Sequence, residues 1–189
     1  HLGAFVTNPN LFWSLKSLKM TSLTVIVPVY NEENLVIESL KRLDKENIVN
    51  KVIIVDDCST DNSNKLITDF ILHKNKYFMI KTIKNSGKGK AIQAAQSMID
   101  TDYVAIHDAD LEYYPEDLTK MYEKIHDNNL ILGSRFIGKD ERNNLYKRTL
   151  YANYFLSRLF SLIFGTKITD VATCYNCLLY TSDAADELS

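Results

Sequence analysis

Residues 23–32 read LTVIVPVYNE, an apolar run that passes directly into a polar segment. Residues 51–61, KVIIVDDCSTD, repeat this scheme, and the acidic segment DADLE at 108–112 comes after the apolar run at 103–106. Short apolar runs bounded by polar residues are typical of buried β-strands that end in loops. In an open parallel sheet the ligand site lies beyond the carboxyl ends of the strands. The three loops are therefore expected to line one crevice.

The segments between these runs have helical periodicity. Four amphipathic helices are predicted, formed by Val36, Ile37, Leu40 and Leu43 with Asn31 as cap, by Leu66, Ile67, Phe70 and Ile71 after Thr60 and Asp61, by Ala91, Ile92, Ala95, Met98 and Ile99, and by Leu118, Met121, Tyr122 and Ile125 after Pro115. Two further strands fit residues 77–83 and 130–132. The alternation predicts an α/β fold with a mainly parallel central sheet and helices on both faces.

Asp108 and Asp110 lie one residue apart at the mouth of a predicted strand. Two carboxylates in this arrangement suit a hard divalent cation that is also held by substrate phosphates, so the pair indicates chemistry on a diphosphate. Aspartate is also common in ordinary strand-to-loop turns, and the pair alone does not distinguish the two readings. The agreement of three polar loops at one edge of the sheet favours the metal site.

Six motifs, in this order, resemble glycosyltransferase family 2: PVYNE at 28–32, VDDCSTD at 55–61, NSGKG at 85–89, DADLEYYPEDL at 108–118, GSRF at 133–136 and TDVATCY at 169–175. Within the family the chain looks most like the dolichyl-phosphate mannosyltransferase-like enzymes. The resemblance implies a GT-A (Rossmann-like) fold. It also implies metal-dependent, inverting transfer of a hexose from a nucleotide sugar of the GDP-mannose or UDP-glucose type to a polyprenyl phosphate at a membrane surface.

The resemblance also implies roles for individual residues at the donor side. The nucleotide sugar would contact Pro28, Tyr30, Glu32, Val55, Asp57, Lys90, Asp108 and Ala109. Asp57 would contact the base, while Asp56 has the simpler reading of a structural turn carboxylate. Asp108 and Asp110 would hold Mg or Mn against the donor diphosphate, with help from Glu112.

Three residues are assigned catalytic roles by the resemblance: Asp110, Arg135 and Asp170. Arg135 matches a family arginine near phosphates, a role that suits its forked donors, whereas a surface salt bridge is the simpler reading without the resemblance. Asp170 matches an aspartate at the acceptor side of the sugar. It would be a general base for a hydroxyl acceptor. A polyprenyl phosphate arrives already ionised, and Asp170 would then orient the sugar or the loop.

The glycine-rich segment NSGKGK at 85–90 lacks the spacing of a phosphate loop. It predicts a glycine turn into the third helix. Because helix starts attract anions, Lys90 is expected near the diphosphate.

Both ends of the sequence are expected to be foreign to the natural protein. Residues 1–19 precede Met20 and are expected to be a non-native or disordered extension, although a short amphipathic membrane-contacting segment at 11–18 is the alternative. Residues 177–189 resemble translated sequencing adapter. The glycosyltransferase domain would then span 20–176 and be cut short at its C-terminal side, so that this fragment is expected to be crippled or inactive.

The cysteine pattern is affected by this assignment. Cys174 and Cys177 have the spacing of a redox or zinc pair, but the second would belong to the adapter. Cys58 and Cys174 are expected to be reduced thiols of a cytoplasmic protein. The formal net charge of −2 gives no electrostatic footprint for nucleic acid.

A broadly apolar helix is predicted over 148–164, ending at Gly165. Polar residues interrupt it too often for a membrane span of about 20 apolar residues. It is expected either to be buried, against the sheet or against a missing C-terminal part, or to lie at the cytoplasmic membrane face and guide a lipid phosphate paired with Lys147 or Arg148. The second reading predicts peripheral membrane contact.

Two other functions remain open. The sugar could go to a hydroxyl of a growing glycan in cell-surface polysaccharide synthesis, or the chain could be a non-catalytic module that binds nucleotide sugars. Joint presence of Asp108, Asp110, Arg135 and Asp170 argues against the module. The apolar helix and the TDVATCY motif resemble the lipid-phosphate branch.

Overall fold

The computed structural model describes residues 22–111, 113–125, 130–134, 147–165, 168–171, 173 and 176–179. Strands and helices alternate along most of these residues. In chain order they are β1 (Leu23–Val29), α1 (Val36–Asp44), β2 (Val49–Asp56), α2 (Ser63–Ile71), β3 (Tyr77–Lys81), α3 (Lys88–Ala95), β4 (Tyr103–Ile106), α4 (Glu116–Ile125), β5 (Leu130–Leu132), α5 (Lys147–Phe164) and β6 (Asn176–Leu179). A single 3-10 turn, Gln96–Met98, extends α3.

The strands form one sheet in the order β3-β2-β1-β4-β6-β5. β1, β2, β3 and β4 are parallel, while β6 is antiparallel to both β4 and β5. β5 therefore runs in the same direction as β4. The carboxyl ends of all five strands other than β6 lie at one edge, which we call the carboxyl edge. The predicted α/β fold with a mainly parallel sheet is confirmed.

Apolar side chains cover both faces of the sheet. One face packs against α1, α2 and α4 through residues such as Leu40, Ile67 and Leu118. The other face packs against α3, where Ala91 and Ala95 meet the strands. Because successive strand residues point to opposite faces, strands buried on both sides read as continuous apolar runs. Helices lie on both faces, as the sequence predicts.

Two local features differ from the sequence-based expectation. Asn31 does not cap α1, which begins four residues beyond Glu32 at Val36. Instead Asn31 has a left-handed backbone with φ 55°, and its side-chain oxygen accepts a hydrogen bond from Thr60 N at 2.8 Å. Asparagine tolerates this conformation better than most residues.

Strand β6 is the second difference, since periodicity predicts no strand there. Its residue Cys177 is buried between β4 and β5, pairing with Ala105 on one side and Ile131 on the other. Three of the four β6 residues belong to the predicted tail at 177–189. The assignment of that tail to adapter sequence, and the domain limits that depend on it, stay predictions.

Helix α5 is present, but it is not buried against the sheet as one reading of the sequence expects. Eight of its large apolar side chains are between 42% and 81% exposed: Tyr151, Tyr154, Phe155, Leu156, Leu159, Leu162, Ile163 and Phe164. The buried positions of the helix include polar Asn153 and Ser157 instead. Within the described residues, no helix has both the length and the apolar character needed to cross a membrane.

Candidate functional site

The loops after β1 and β2 are joined by backbone-to-side-chain hydrogen bonds at the carboxyl edge. Asn31 N donates to Ser59 Oγ at 3.0 Å, and Glu32 N donates to Ser63 Oγ at 2.8 Å. Such bonds fix the direction of both loops, because each orphan amide gains a specific partner. Glu32 is thereby held at the edge where the strands end.

Asp56 is a structural carboxylate. It is fully buried and accepts hydrogen bonds from Ser59 N at 2.8 Å and from Asn64 Nδ2 at 2.7 Å. These contacts close the turn after β2 and tie it to the start of α2. The simpler reading of Asp56 is therefore the one that the structure supports.

Asp57 organises the loop between β3 and α3. Its buried carboxylate accepts hydrogen bonds from Thr82 Oγ1 at 2.9 Å, Ser86 N at 3.0 Å and Gly87 N at 2.7 Å. Hydrogen bonds to an ionised acceptor are stronger than neutral ones. The sequence does not reveal this role, although the glycine turn marks the loop. The contact of Asp57 with a nucleotide base stays a prediction.

Gly87 has a backbone conformation that suits glycine alone, with φ 86° and ψ 163°. We expect Gly87→Ala to lower the free energy of unfolding by about 1–3 kcal/mol through backbone strain. Gly89→Ala is the matched control, because Gly89 lies inside α3 with nothing near its missing Cβ. The control is expected to lose no stability and to gain up to about 1 kcal/mol. Urea unfolding of both variants tests this, and equal stability would contradict it.

Acidic side chains from three loops influence one another at the carboxyl edge. The pKa of Glu32 is raised first by burial and then by the negative charges of Asp110, Asp61 and Asp108. The neighbouring carboxylates of Asp110, Asp61 and Asp108 add negative charge around Glu32, and a cation would relieve the repulsion. This arrangement agrees with the expectation that the loops line one site.

The carboxylates of Asp108 and Asp110 fit a hard divalent cation by their chemistry. In the part of the chain that the structure describes, no three His, Cys, Asp or Glu side chains form a complete metal site. Mg²⁺ is commonly bound by one or two carboxylates and completed by substrate phosphates and water. Two carboxylates therefore suffice. Glu112 and Arg135 lie outside the described residues.

Lys88, which the sequence analysis does not single out, contacts the acidic pair. Its Nζ lies 2.6 Å from Asp108 Oδ1, so the first residue of α3 is paired with the loop after β4. Lys90, the predicted phosphate neighbour, donates to Gln93 Oε1 at 2.7 Å, and its contact with a diphosphate stays a prediction. The position of Lys88 directly after Gly87, at the helix start, is the signal that could have identified it.

His107 is buried beneath the acidic loop. Its Nε2 lies 3.0 Å from Ser39 Oγ of α1, and burial lowers its pKa to about 4 even though Asp108 acts in the opposite direction. The neutral ring thus ties the residue directly before Asp108 to α1.

This shift predicts a pH dependence of stability. The folded chain keeps His107 neutral while the unfolded chain protonates it near pH 6.5, so the stabilisation is complete above that pH and is lost as the pH falls towards about 4. The loss attributable to His107 is expected to reach about 3 kcal/mol. The free energy of unfolding, measured with urea in EDTA, should change less with pH between these values for His107→Gln than for the wild type. An equal change in both would contradict it.

The nucleotide residues implied by the resemblance fall on β1 and β2, on the loops after β1, β2 and β4, and on α3. Pro28 and Val55 are register partners in β1 and β2. Tyr30 is exposed just after β1, and Ala109 is buried between the two aspartates of the acidic pair. Their contact with a nucleotide stays a prediction.

Asp170 is buried in the segment between α5 and β6. Only 2% of its surface is exposed, and its Oδ1 accepts a hydrogen bond from Asn153 Nδ2 of α5 at 2.6 Å. The neighbouring Thr169 Oγ1 donates to Ser134 Oγ, at 2.8 Å, in the loop after β5. Asp170 is thereby linked to a loop at the carboxyl edge.

Comparison with known proteins identifies relatives of the whole arrangement. The family model described as glycosyl transferase family 2 matches residues 24–187. The undecaprenyl-phosphate 4-deoxy-4-formamido-L-arabinose transferase of Proteus mirabilis is 28% identical over 169 residues, which cover 85% of this chain and 48% of that protein. S. aureus TarS 1–349 in complex with UDP is 26% identical, with a TM-score of 0.51 over 64% of this chain and 38% of that one.

A further solved structure matches most of the chain. Glucosyl-3-phosphoglycerate synthase from Mycobacterium tuberculosis, in complex with Mn²⁺, UDP and glucosyl-3-phosphoglycerate, has a TM-score of 0.63 over 95% of this chain and 63% of that one. At 14% identity this likeness shows the fold alone. The chain spans 47–64% of the length of five curated relatives that it matches. With its six-stranded, mainly parallel sheet, the chain has the GT-A fold and belongs to glycosyl transferase family 2.

Proposed function

We propose that this protein is a metal-dependent, inverting glycosyltransferase that transfers a hexose from a nucleotide sugar to a polyprenyl phosphate. The donor is of the GDP-mannose or UDP-glucose type. One observation carries the proposal: Glu32, Asp108 and Asp110 concentrate negative charge at the carboxyl edge of a family 2 chain. These carboxylates repel an anionic diphosphate unless a cation lies between the carboxylates and the phosphates.

Asp108 and Asp110 are the proposed metal ligands, for Mg or Mn, with Glu112 as a third. A bound divalent cation supplies stabilisation of the negative charge that collects on the departing diphosphate oxygen. Lys88 adds a positive charge beside Asp108. Its ammonium group therefore lies within reach of the phosphates that the carboxylates cannot attract on their own.

The nucleotide is proposed to lie over the carboxyl ends of β1 and β2. Tyr30 is 46% exposed and offers a ring face on which a base can stack. Pro28 and Val55 provide the floor as neighbours in the sheet. Asp57 contributes by holding the β3–α3 loop and, in the proposal, by meeting the base.

The acceptor is proposed to be a polyprenyl phosphate at the cytoplasmic face of a membrane. Helix α5 exposes eight large apolar side chains, and large exposed apolar surfaces mark interaction sites. The Proteus mirabilis relative is named for an undecaprenyl-phosphate acceptor. Arg135 is proposed to meet phosphate and Asp170 to orient the sugar, because an acceptor phosphate already lacks a proton and needs no base.

The experiment supplies the full chain with Mn²⁺ and radiolabelled GDP-mannose or UDP-glucose. Two acceptors compete, a polyprenyl phosphate in phospholipid vesicles and a free oligosaccharide. We expect metal-dependent donor binding and label in the lipid extract. Label in the oligosaccharide would favour the glycan-hydroxyl alternative. Tight, metal-dependent binding of the nucleotide sugar without transfer to or binding of either acceptor would favour the non-catalytic module.

A further inference from the structure

Helix α5 turns polar side chains towards the protein. Asn153, Ser157 and Ser161 recur every fourth residue, so they share one face of the helix. Asn153 and Ser157 are almost completely buried, whereas the apolar neighbours described above are exposed. Burying an amide is unfavourable unless it is hydrogen-bonded, so this inversion calls for a specific set of partners.

The partners form a relay that ends on Asp170. Val171 N donates to Ser157 Oγ at 2.9 Å, and Ser157 Oγ donates to Asn153 Oδ1 at 3.3 Å. Asn153 Nδ2 then donates to Asp170 Oδ1 at 2.6 Å. Because the hydroxyl donates to the amide oxygen, the amide nitrogen must face the carboxylate. The relay begins and ends on adjacent residues of one loop.

The segment that carries Asp170 is anchored on both sides of it. Ile168 N donates to Ser161 Oγ at 3.1 Å, and the Ser161 hydroxyl donates back to Ile168 O at 3.0 Å. Thr169 contacts Ser134 two residues beyond β5. Asp170 is therefore held from α5 and from the loop after β5 together.

The sheet places this segment at the same edge as the acidic pair. Asn176, the first residue of β6, pairs with Ile106 at the end of β4 and with Leu132 at the end of β5. Asp108 follows Ile106 by two residues, and Asp170 precedes Asn176 by six. Thr169, the neighbour of Asp170, bonds to Ser134 two residues beyond that end of β5, so Asp170 lies at the same edge of the sheet as Asp108.

We propose that Asn153, oriented by Ser157, is a positioning residue that fixes the carboxylate of Asp170 towards the acceptor side of the sugar. This inference rests on the proposed function, because it gives Asp170 a task in the transfer. The proposal gives Asn153 no contact of its own with donor or metal. It acts through the rotamer of Asp170, and a displacement of about 1 Å in such a group lowers turnover by about 100-fold.

The test exchanges the two partners. Asn153→Asp places two carboxylates side by side, and Asp170→Asn places two amides side by side. The double variant Asn153→Asp/Asp170→Asn restores one donor and one acceptor, and its residue 153 still accepts from Ser157. Ser157→Ala is a milder variant that leaves the contact but removes the orientation of the amide.

Each variant of the full chain is measured in three ways: urea unfolding, calorimetric binding of GDP or UDP with Mn²⁺, and release of nucleoside diphosphate from GDP-mannose or UDP-glucose with polyprenyl phosphate vesicles. We expect nucleotide affinity to stay within about threefold throughout, because the relay lies outside the nucleotide site. The double variant should regain the wild-type unfolding midpoint, yet its kcat should stay about 100-fold low, because position 170 no longer has the carboxylate that orients the sugar. Ser157→Ala should lower kcat about tenfold with little change in donor KM.

Recovery of both stability and kcat in the double variant would overturn the inference, since the pair would then be only a structural tie. Failure of the double variant to regain stability would overturn it as well, because the hydrogen bond would not be what holds Asp170. A wild-type chain that binds no nucleotide and releases none would contradict the proposed function itself. That result is distinguishable from the others because it needs no variant.

Discussion

Asp110→Asn is expected to lower the affinity for Mn²⁺ in the presence of GDP or UDP by about 100-fold or more. The substitution keeps the size of the side chain but removes one of the two carboxylates that the cation needs. It also removes the charge that, among the three neighbouring carboxylates, raises the pKa of Glu32 most. Asparagine can offer only a neutral oxygen, so the attraction to the metal and the bridge to the diphosphate weaken together.

Electron paramagnetic resonance of free Mn²⁺ measures this directly, because the hexa-aqua ion loses its signal when it binds. Asp117→Asn is the matched control, since Asp117 lies on α4 and pairs with Lys120 at 2.8 Å. The control should bind Mn²⁺ and nucleotide as the wild type does. Equal Mn²⁺ binding by the Asp110 variant would show that the metal is held elsewhere.

Asp57→Asn is expected to lower the free energy of unfolding by about 2–4 kcal/mol. The buried carboxylate accepts from one hydroxyl and two backbone amides, and an asparagine would turn a donor group towards at least one of these donors. Buried hydrogen bonds to charged groups contribute about 1.5–3 kcal/mol each. The β3–α3 loop would lose the anchor that sets its direction.

Urea unfolding of this variant is compared with that of Asp69→Asn. Asp69 is an exposed carboxylate on α2, and its substitution should change stability by no more than about 0.5 kcal/mol. If the Asp57 variant also shows early amide exchange at Ser86 and Gly87, the loop is the part that opens. A loss of nucleotide binding with unchanged stability would instead assign Asp57 to the base alone.

Local periodicity predicted most of the strands and helices. The strands are short apolar runs buried on both faces, and the helices between them repeat apolar residues every three or four positions. Periodicity could not predict β6. That strand pairs with β4 and β5, which lie more than forty residues away in sequence, and pairing at such a distance leaves no local signature. Periodicity also predicts that α5 is apolar, but it does not show whether its apolar side chains are covered or exposed.

The candidate site was predictable where it depends on a rule of topology. Parallel strands bring Glu32, Asp108 and Asp110 to one edge, and the effect of the two aspartates on the pKa of Glu32 agrees with that expectation. Contacts between loops were not predictable in the same way. The Asp57–Gly87 bond spans 30 residues, and Lys88 rather than Lys90 meets Asp108 because of the helix phase.

The acceptor side shows the same limit. Asp170 was assigned by resemblance, but its relay through Asn153 and Ser157 depends on how α5 lies against the loop. No motif links the three residues, since the amide and hydroxyl are four residues apart on a helix that otherwise reads as apolar. The signal that the sequence offers is a pair of polar residues at helical spacing within an apolar segment.

The central claim is that a nucleoside diphosphate binds at the carboxyl edge through a divalent cation. Calorimetric titration of the full chain with GDP, UDP and their sugar conjugates tests it most directly, first with Mn²⁺ and then with EDTA. The account predicts one-to-one binding of one nucleotide series in Mn²⁺ and none in EDTA. Binding of equal strength in EDTA, or no binding of any nucleotide with Mn²⁺, would contradict it.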